Sequence, residues 1–262
     1  MLPPQENANL RNAAQPQATP YNDAVLVADQ LVKRFGTREA VAGVSFHVRP
    51  GEVFGFLGPN GAGKTTTIRM LVGLIRPTAG RVLIAGNDLS QARERAMSRL
   101  GCIVESPDFY DYLTARENLE HFGRMVGPAA LNRIAETAAL VRLDKRLADR
   151  VSTYSLGMKQ RLGIAQALLG EPQVLILDEP ANGLDPAGIR ELRALIRGLA
   201  DERGLAVFVS SHLLGEVEKI CNRLAIVHRG RALVEGTLAQ VTGGGTRTLE
   251  DVFLDVTHGE SV

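Results

Sequence analysis

An α/β fold is predicted by three features of this chain. Apolar runs of strand length recur at Val25 to Leu31, Val44 to Val48, Val53 to Leu57 and Val82 to Ala85, then again at Val174 to Leu177, Ala206 to Ser210 and Leu224 to Val227. Between the two sets lies a stretch of helical spacing with charged outer faces. The run Val53-Phe54-Gly55-Phe56-Leu57 passes directly into Gly58-Pro59-Asn60-Gly61-Ala62-Gly63-Lys64-Thr65, and Thr66-Thr67-Ile68-Arg69-Met70-Leu71 follows with helix-forming potential. Strand, glycine-rich loop and helix in that order are the context a phosphate loop requires.

Taken in order, the first 22 residues are rich in Asn, Gln, Pro and Ala and poor in large apolar side chains, which predicts a disordered N-terminal tail over 1–22. Order is expected from about Val25. Strands dominate to about residue 104, and the helix after the phosphate loop is predicted to stop near Arg76-Pro77, where proline ends it. Residues 107–170 read as a mainly helical insertion, with helical spacing at Glu117 to Phe122 and Arg133 to Leu147. A helix is predicted over Gly188 to Arg203. Gly243-Gly244-Gly245 breaks the chain before a short C-terminal segment, Leu249 to Asp255. No internal repeat is visible.

The bulk composition limits the classes of function. The 262 residues suffice for one large α/β domain or two small ones, and 45% apolar content suits a packed core. The net charge of +1 shows no bias towards nucleic acid or acidic surfaces. No apolar run approaches the roughly 18 residues needed to cross a bilayer, and no export signal is recognisable at the start. Cys102 and Cys221 stand far apart in apolar settings, which predicts core thiols and a reducing, cytoplasmic setting.

Several residues carry candidate chemistry. Glycines let the phosphate-loop backbone curl so that successive N–H groups point at one anion. Lys64 adds a cation for the β- and γ-phosphates, Thr65 a hydroxyl for Mg²⁺, and the helix N-terminus favours phosphate. These residues predict binding of a nucleoside triphosphate. Val174-Leu175-Ile176-Leu177-Asp178-Glu179 is an apolar strand ending in two carboxylates, where one can hold Mg²⁺ and the next can polarise water. A strand ending in a plain charged turn would read the same. Ser210-Ser211-His212 follows another apolar strand, so His212 is either a surface histidine or a group within reach of a γ-phosphate.

With these residues in place, the chain resembles the ATP-binding subunits of ATP-binding-cassette (ABC) transporters over about residues 25–255. Tyr154-Ser155-Leu156-Gly157-Met158-Lys159-Gln160-Arg161 stands where the family signature belongs. Asp178 and Glu179 match the magnesium carboxylate and catalytic base. Gly183-Leu184-Asp185 resembles the dimer-contacting loop, His212 the switch histidine, and Phe35 the aromatic that stacks on adenine. The resemblance implies a P-loop NTPase with a RecA-like core, an N-terminal antiparallel β part, a helical subdomain over about 107–165 and a C-terminal tail over 256–262. It implies ATP and Mg²⁺ as cofactors. Gly58, Pro59, Asn60, Gly61, Ala62, Gly63, Lys64, Thr65 and Thr66 would hold the phosphates of one copy, completed by Ser155 and Gly157 of the other. A homodimer or hetero-pair in the ATP-bound state and a membrane-spanning permease are the implied partners, at the cytoplasmic face of the membrane. No nucleic acid is expected.

Two positions depart from the family pattern. Leu156 stands where the signature has glycine, so its backbone needs negative φ. Glu105 stands where the family places glutamine; it is either a further Mg²⁺ ligand or a surface carboxylate before Pro107. Both departures, with Ser106-Pro107-Asp108-Phe109-Tyr110 and Glu117-Asn118-Leu119, are similar to a subgroup linked to bacitracin resistance and lantibiotic self-protection. That similarity implies an exporter motor. The loop from Glu105 to Tyr112 carries Phe109, Tyr110 and Tyr112, which are either an exposed docking surface for the membrane subunit or aromatics packed inside the helical subdomain. The competing readings are an importer motor, a soluble ATP-driven clamp and a non-hydrolysing nucleotide switch.

Overall fold

The computed structural model describes residues 23–258; the predicted tail over 1–22 and the last four residues lie outside them. Strands β1 (Leu26–Phe35) and β2 (Arg38–Val48) form a hairpin, followed by β3 (Val53–Leu57) and helix α1 (Lys64–Leu71). Next come β4 (Ala79–Ile84), β5 (Asn87–Asp88), α2 (Arg93–Met97) and β6 (Leu100–Ile103). The helical insertion holds α3 (Ala115–Val126), α4 (Pro128–Asn132), α5 (Ile134–Leu140) and α6 (Leu156–Leu168). The chain then returns through β7 (Val174–Asp178), α7 (Pro186–Arg203), β8 (Ala206–Ser211), α8 (Leu214–Ile220) and β9 (Arg223–His228). It ends with β10 (Arg231–Thr237), α9 (Leu238–Val241) and α10 (Leu249–His258).

Two sheets result. One is antiparallel, in the order β2-β1-β4-β5; the other runs β10-β9-β3-β8-β7-β6, parallel except for β10 at its edge. The central strands are apolar on both faces, as a covered parallel sheet demands. Their side chains alternate strictly. Phe54, Phe56, Val174, Ile176, Ala206 and Phe208 face the antiparallel sheet and α1, while Val53, Leu57, Leu175, Leu177, Val207 and Val209 face the helices of the other layer. Phe46 of β2 stacks on Phe54 and Phe208 with ring centroids 5.2 and 5.4 Å away, tying the two sheets together.

The helical insertion is held by ordinary caps and one buried amide. Thr114 and Glu117 form a capping box at the start of α3. Asn118, fully buried, accepts the Tyr110 N–H through Oδ1 at 2.9 Å and donates Nδ2 to the carbonyls of Tyr110 and Thr114. This fixes the loop before α3. Phe109 is half-buried and packs edge-on against Phe122, so it takes the packed alternative; Tyr110 and Tyr112 are exposed.

The helix after the phosphate loop ends at Leu71, five residues before the predicted stop. Gly73 takes φ +68°, and the N–H groups of Gly73 and Leu74 close back on the carbonyls of Met70 and Arg69. That left-handed glycine cap ends the helix before proline is reached. Strands β5, β6 and β10 and helices α2, α8 and α9 lie outside the predicted elements: β6 is four residues long, and β10 is an edge strand with no fully buried side chain. The C-terminal segment is helical to His258, three residues beyond its predicted end. Cys102 and Cys221 are free, and burial pushes both thiols above their ordinary range.

Gly55 is where α8 meets the central strand. A Cβ there would lie 2.8 Å from Val217 Cγ1 and 2.9 Å from Cys221 Sγ. Gly55→Ala is expected to destabilise the fold by about 1–3 kcal/mol through overpacking, read as a lower urea midpoint with unchanged slope.

Candidate functional site

The parallel register brings four strand ends to one edge. Leu57 lies beside Ser211 of β8 and Ile226 of β9, and Asp178 beside Ser210. In an open parallel sheet this carboxyl-terminal edge is where ligands bind. The phosphate loop leaves β3 there and turns into α1 through Gly63 at φ +103°, where a Cβ would meet the Ala40 carbonyl at 2.7 Å.

Lys64 is only 7% exposed. Its Nζ donates to the Gly58 carbonyl at 2.6 Å and to that of Pro59 at 3.4 Å, and lies 3.4 Å from Glu179 Oε1. Asp178 is likewise buried, and desolvation is the main cause raising its carboxyl above the ordinary range. The Ser210 hydroxyl donates to Asp178 Oδ1 at 2.5 Å and accepts the Glu179 backbone N–H at 2.9 Å. One side chain thus fixes both carboxylate residues. Glu179 itself sits at φ +46°. Its Oε2 lies 2.7 Å from His212 Nδ1 and accepts the His212 backbone N–H at 3.3 Å.

These groups border a cavity of about 720 Å³, in the range of small-molecule sites. Of the residues expected to hold nucleotide or metal, Pro59, Asn60, Gly61, Gly63, Lys64, Thr65, Thr66, Glu105, Asp178 and Glu179 line it. Gly58 and Ala62 form the loop without lining the cavity, and His212 reaches it through Glu179. Glu105 takes φ +66°, and its carboxylate pairs with Arg69 of α1 at 2.7 Å. Phe35 is 53% exposed at the β1–β2 turn, with Lys33 Nζ 5.2 Å above its ring.

Ser155 and Gly157 are not among the residues lining this cavity. Ser155 caps α6, its hydroxyl accepting the Met158 N–H at 3.3 Å. Leu156 occupies the first turn of that helix, half exposed and with the negative φ expected of it. Asp185 caps α7 through the Gly188 N–H at 2.8 Å. The sequence reading missed Ser210 as the shared anchor, and Arg38 and Arg229 on the cavity wall. Ser210 was legible only as part of a strand end; the two arginines carry no motif.

The ABC transporter family profile matches residues 41–182, just over half of the chain. An uncharacterized ABC transporter ATP-binding protein of Bacillus subtilis, YhcH, is 52% identical over 80% of this chain and 68% of its own length. The bacitracin transport ATP-binding protein BcrA of Bacillus licheniformis is 47% identical over 80% of this chain and 69% of its own. A solved structure described as the ATP binding subunit of an ABC transporter superposes with a TM-score of 0.78 at 31% identity, covering 88% of this chain and 99% of that one. A phosphate loop, a carboxylate-tipped central strand and these relatives agree: the chain belongs to the ABC transporter family, as one of its ATP-binding, ATP-hydrolysing subunits.

Proposed function

We propose that this chain drives a membrane exporter whose load is a peptide antibiotic or a similar amphiphilic compound. The observation that carries the motor reading is the convergence of Lys64, Asp178 and Glu179 on one cavity, with His212 bonded to Glu179, while Ser155 and Gly157 do not line that cavity although Leu156 between them does. Subunits of this family work in pairs and with permeases. In this reading a second copy brings its Ser155 hydroxyl and Gly157 N–H to the phosphates held by the first, so ATP closes the pair. The bacitracin transport function named for BcrA supports the class of load.

Within the site, the loop N–H groups and Lys64 hold the phosphates, and Phe35 packs on the adenine. Glu179 receives the proton of the attacking water. His212, hydrogen-bonded to that carboxylate, orients it and relays closure towards the other copy near Asp185. The donor set suits Mg²⁺: Thr65 lines the cavity with a hydroxyl, and Asp178 is a buried carboxylate whose Oδ1 accepts from the Ser210 hydroxyl. Among the described residues no cluster of three or more acidic, histidine or cysteine side chains forms a cage. A magnesium site built from one carboxylate, a hydroxyl, water and substrate phosphates fits that arrangement. The ion would neutralise charge on the transferring group; Glu105, already paired with Arg69, would act on it from the cavity wall.

Among the described residues no helix is long and apolar enough to cross a membrane. In this reading the load is moved by a separate membrane-spanning permease, against which the chain sits at the cytoplasmic face. Tyr110 and Tyr112, exposed with ring centroids 5.9 Å apart on a loop pinned by Asn118, offer the docking surface. The cassette in this reading spans 25–255, with its helical subdomain over about 107–165.

Lys64→Ala is expected to weaken ATP binding by roughly ten- to a hundredfold, the value of a charged hydrogen bond, in a titration with labelled nucleotide; unchanged affinity contradicts the cradle. Glu179→Gln is expected to bind ATP, slow turnover by about 10²–10⁴-fold and accumulate an ATP-bound dimer on a sizing column. Parent-like hydrolysis removes the base assignment. Glu105→Gln is expected to raise the Mg²⁺ concentration at half-maximal hydrolysis about threefold, since a neutral amide is a weaker ligand than a carboxylate. No shift assigns Glu105 to its surface pair with Arg69.

A further inference from the structure

Strands β9 and β10 are joined by two residues, Arg229 and Gly230, with His228 paired to Arg231. Their φ angles are +45° and +79°. Positive φ at both central positions defines a type I′ turn, which favours Asn-Gly or Asp-Gly. Arginine in the left-handed region costs about 1–2 kcal/mol, so this hairpin keeps a strained residue where an unstrained one was available. Strain retained at a ligand cavity is a pointer to function.

The hairpin tip is fastened to the site. The Gly230 N–H donates to the Ala62 carbonyl of the phosphate loop at 2.9 Å, and the Gly230 carbonyl accepts the Ala42 N–H at 2.8 Å. A Cβ on Gly230 would lie 2.7 Å from the Ala40 carbonyl, so the approach is close. This attachment sets Arg229 on the cavity wall, next to the loop that faces the phosphates.

Charge accounting around the cavity singles this side chain out. Lys64 is engaged with Glu179, and Lys159 pairs with Asp111 at 2.8 Å. The cavity acids Glu39 and Glu105 pair with Arg34 and Arg69. Among the described residues, Arg229 and Arg38 are the lining cations with no acidic partner. Of the two, only Arg229 is both strained and hydrogen-bonded through its neighbour to the phosphate loop.

We infer that Arg229 is a nucleotide-binding residue whose guanidinium supplies charge to the polyphosphate of ATP or ADP in this cavity. A guanidinium fork matches phosphate geometry. The inference rests on the nucleotide occupying the cavity as read under the proposed function. It adds a contact from a hairpin that lies outside the phosphate loop, the signature and the carboxylate strand.

The test compares Arg229→Asn, Arg229→Lys and the parent by titration with ATP, ADP and adenosine at low and high salt. Asparagine suits the turn, so R229N should fold with an unchanged or higher thermal midpoint. Its Kd for ATP and ADP should rise about fivefold at low salt, the upper value for an exposed ion pair, and by less at high salt. Adenosine binding should not change, and R229K should keep most of the parent affinity. R229N binding ATP like the parent at low salt overturns this inference alone. A parent that binds no nucleotide overturns the reading of the cavity and this inference with it.

Discussion

The Lys64 ammonium organises the site around itself. A buried cation is tolerated only when hydrogen-bonded and paired. Here the Gly58 and Pro59 carbonyls curl back over it and Glu179 approaches from β7, so loop, helix and carboxylate strand must end at one place. The arrangement is poised for exchange. An incoming phosphate competes with Glu179 for the same ammonium, which would free the carboxylate as the anion binds.

A second layer holds the carboxylates. The Ser210 hydroxyl spans Asp178 and the Glu179 amide, so the two residues at the end of β7 cannot drift apart from β8. His212 follows two residues later on the same strand exit and meets the other side of Glu179. Three adjacent strand ends therefore act as one rigid frame. Its rigidity comes from the alternation beneath it, where Phe54, Phe56 and Phe208 fill one layer and Leu57, Leu177 and Val209 the other.

Three of the seven non-glycine residues at positive φ among the described residues border the site. Glu105, Glu179 and Arg229 all line the cavity and all hold positive φ without being glycine. Each costs on the order of 1–3 kcal/mol, offset by the packed strands that enter and leave the turns. Two of the three are also held through their side chains, Glu105 by Arg69 and Glu179 by His212 and Lys64. Of the three, only Arg229 has no ion-pair partner among the described residues.

The sequence by itself determined the fold class, the phosphate loop, the carboxylate-tipped strand and the helical insertion, because each is written in local spacing: apolar runs of strand length, a glycine pattern before Lys64, and charge at helical intervals. The early stop of α1 was local too, but carried by Gly73, a weaker signal than the Pro77 that drew the prediction past it. Tertiary structure alone decided that Phe109 turns inward while Tyr112 stays out, since Phe122 and Asn118 lie on a helix the loop has yet to reach. It alone paired Glu105 with Arg69, made Ser210 the shared anchor and brought Arg229 to the cavity. These contacts join residues between 31 and 36 positions apart, or depend on a hairpin tip docked on a distant loop. Sheet register sets such distances, and no local pattern records register.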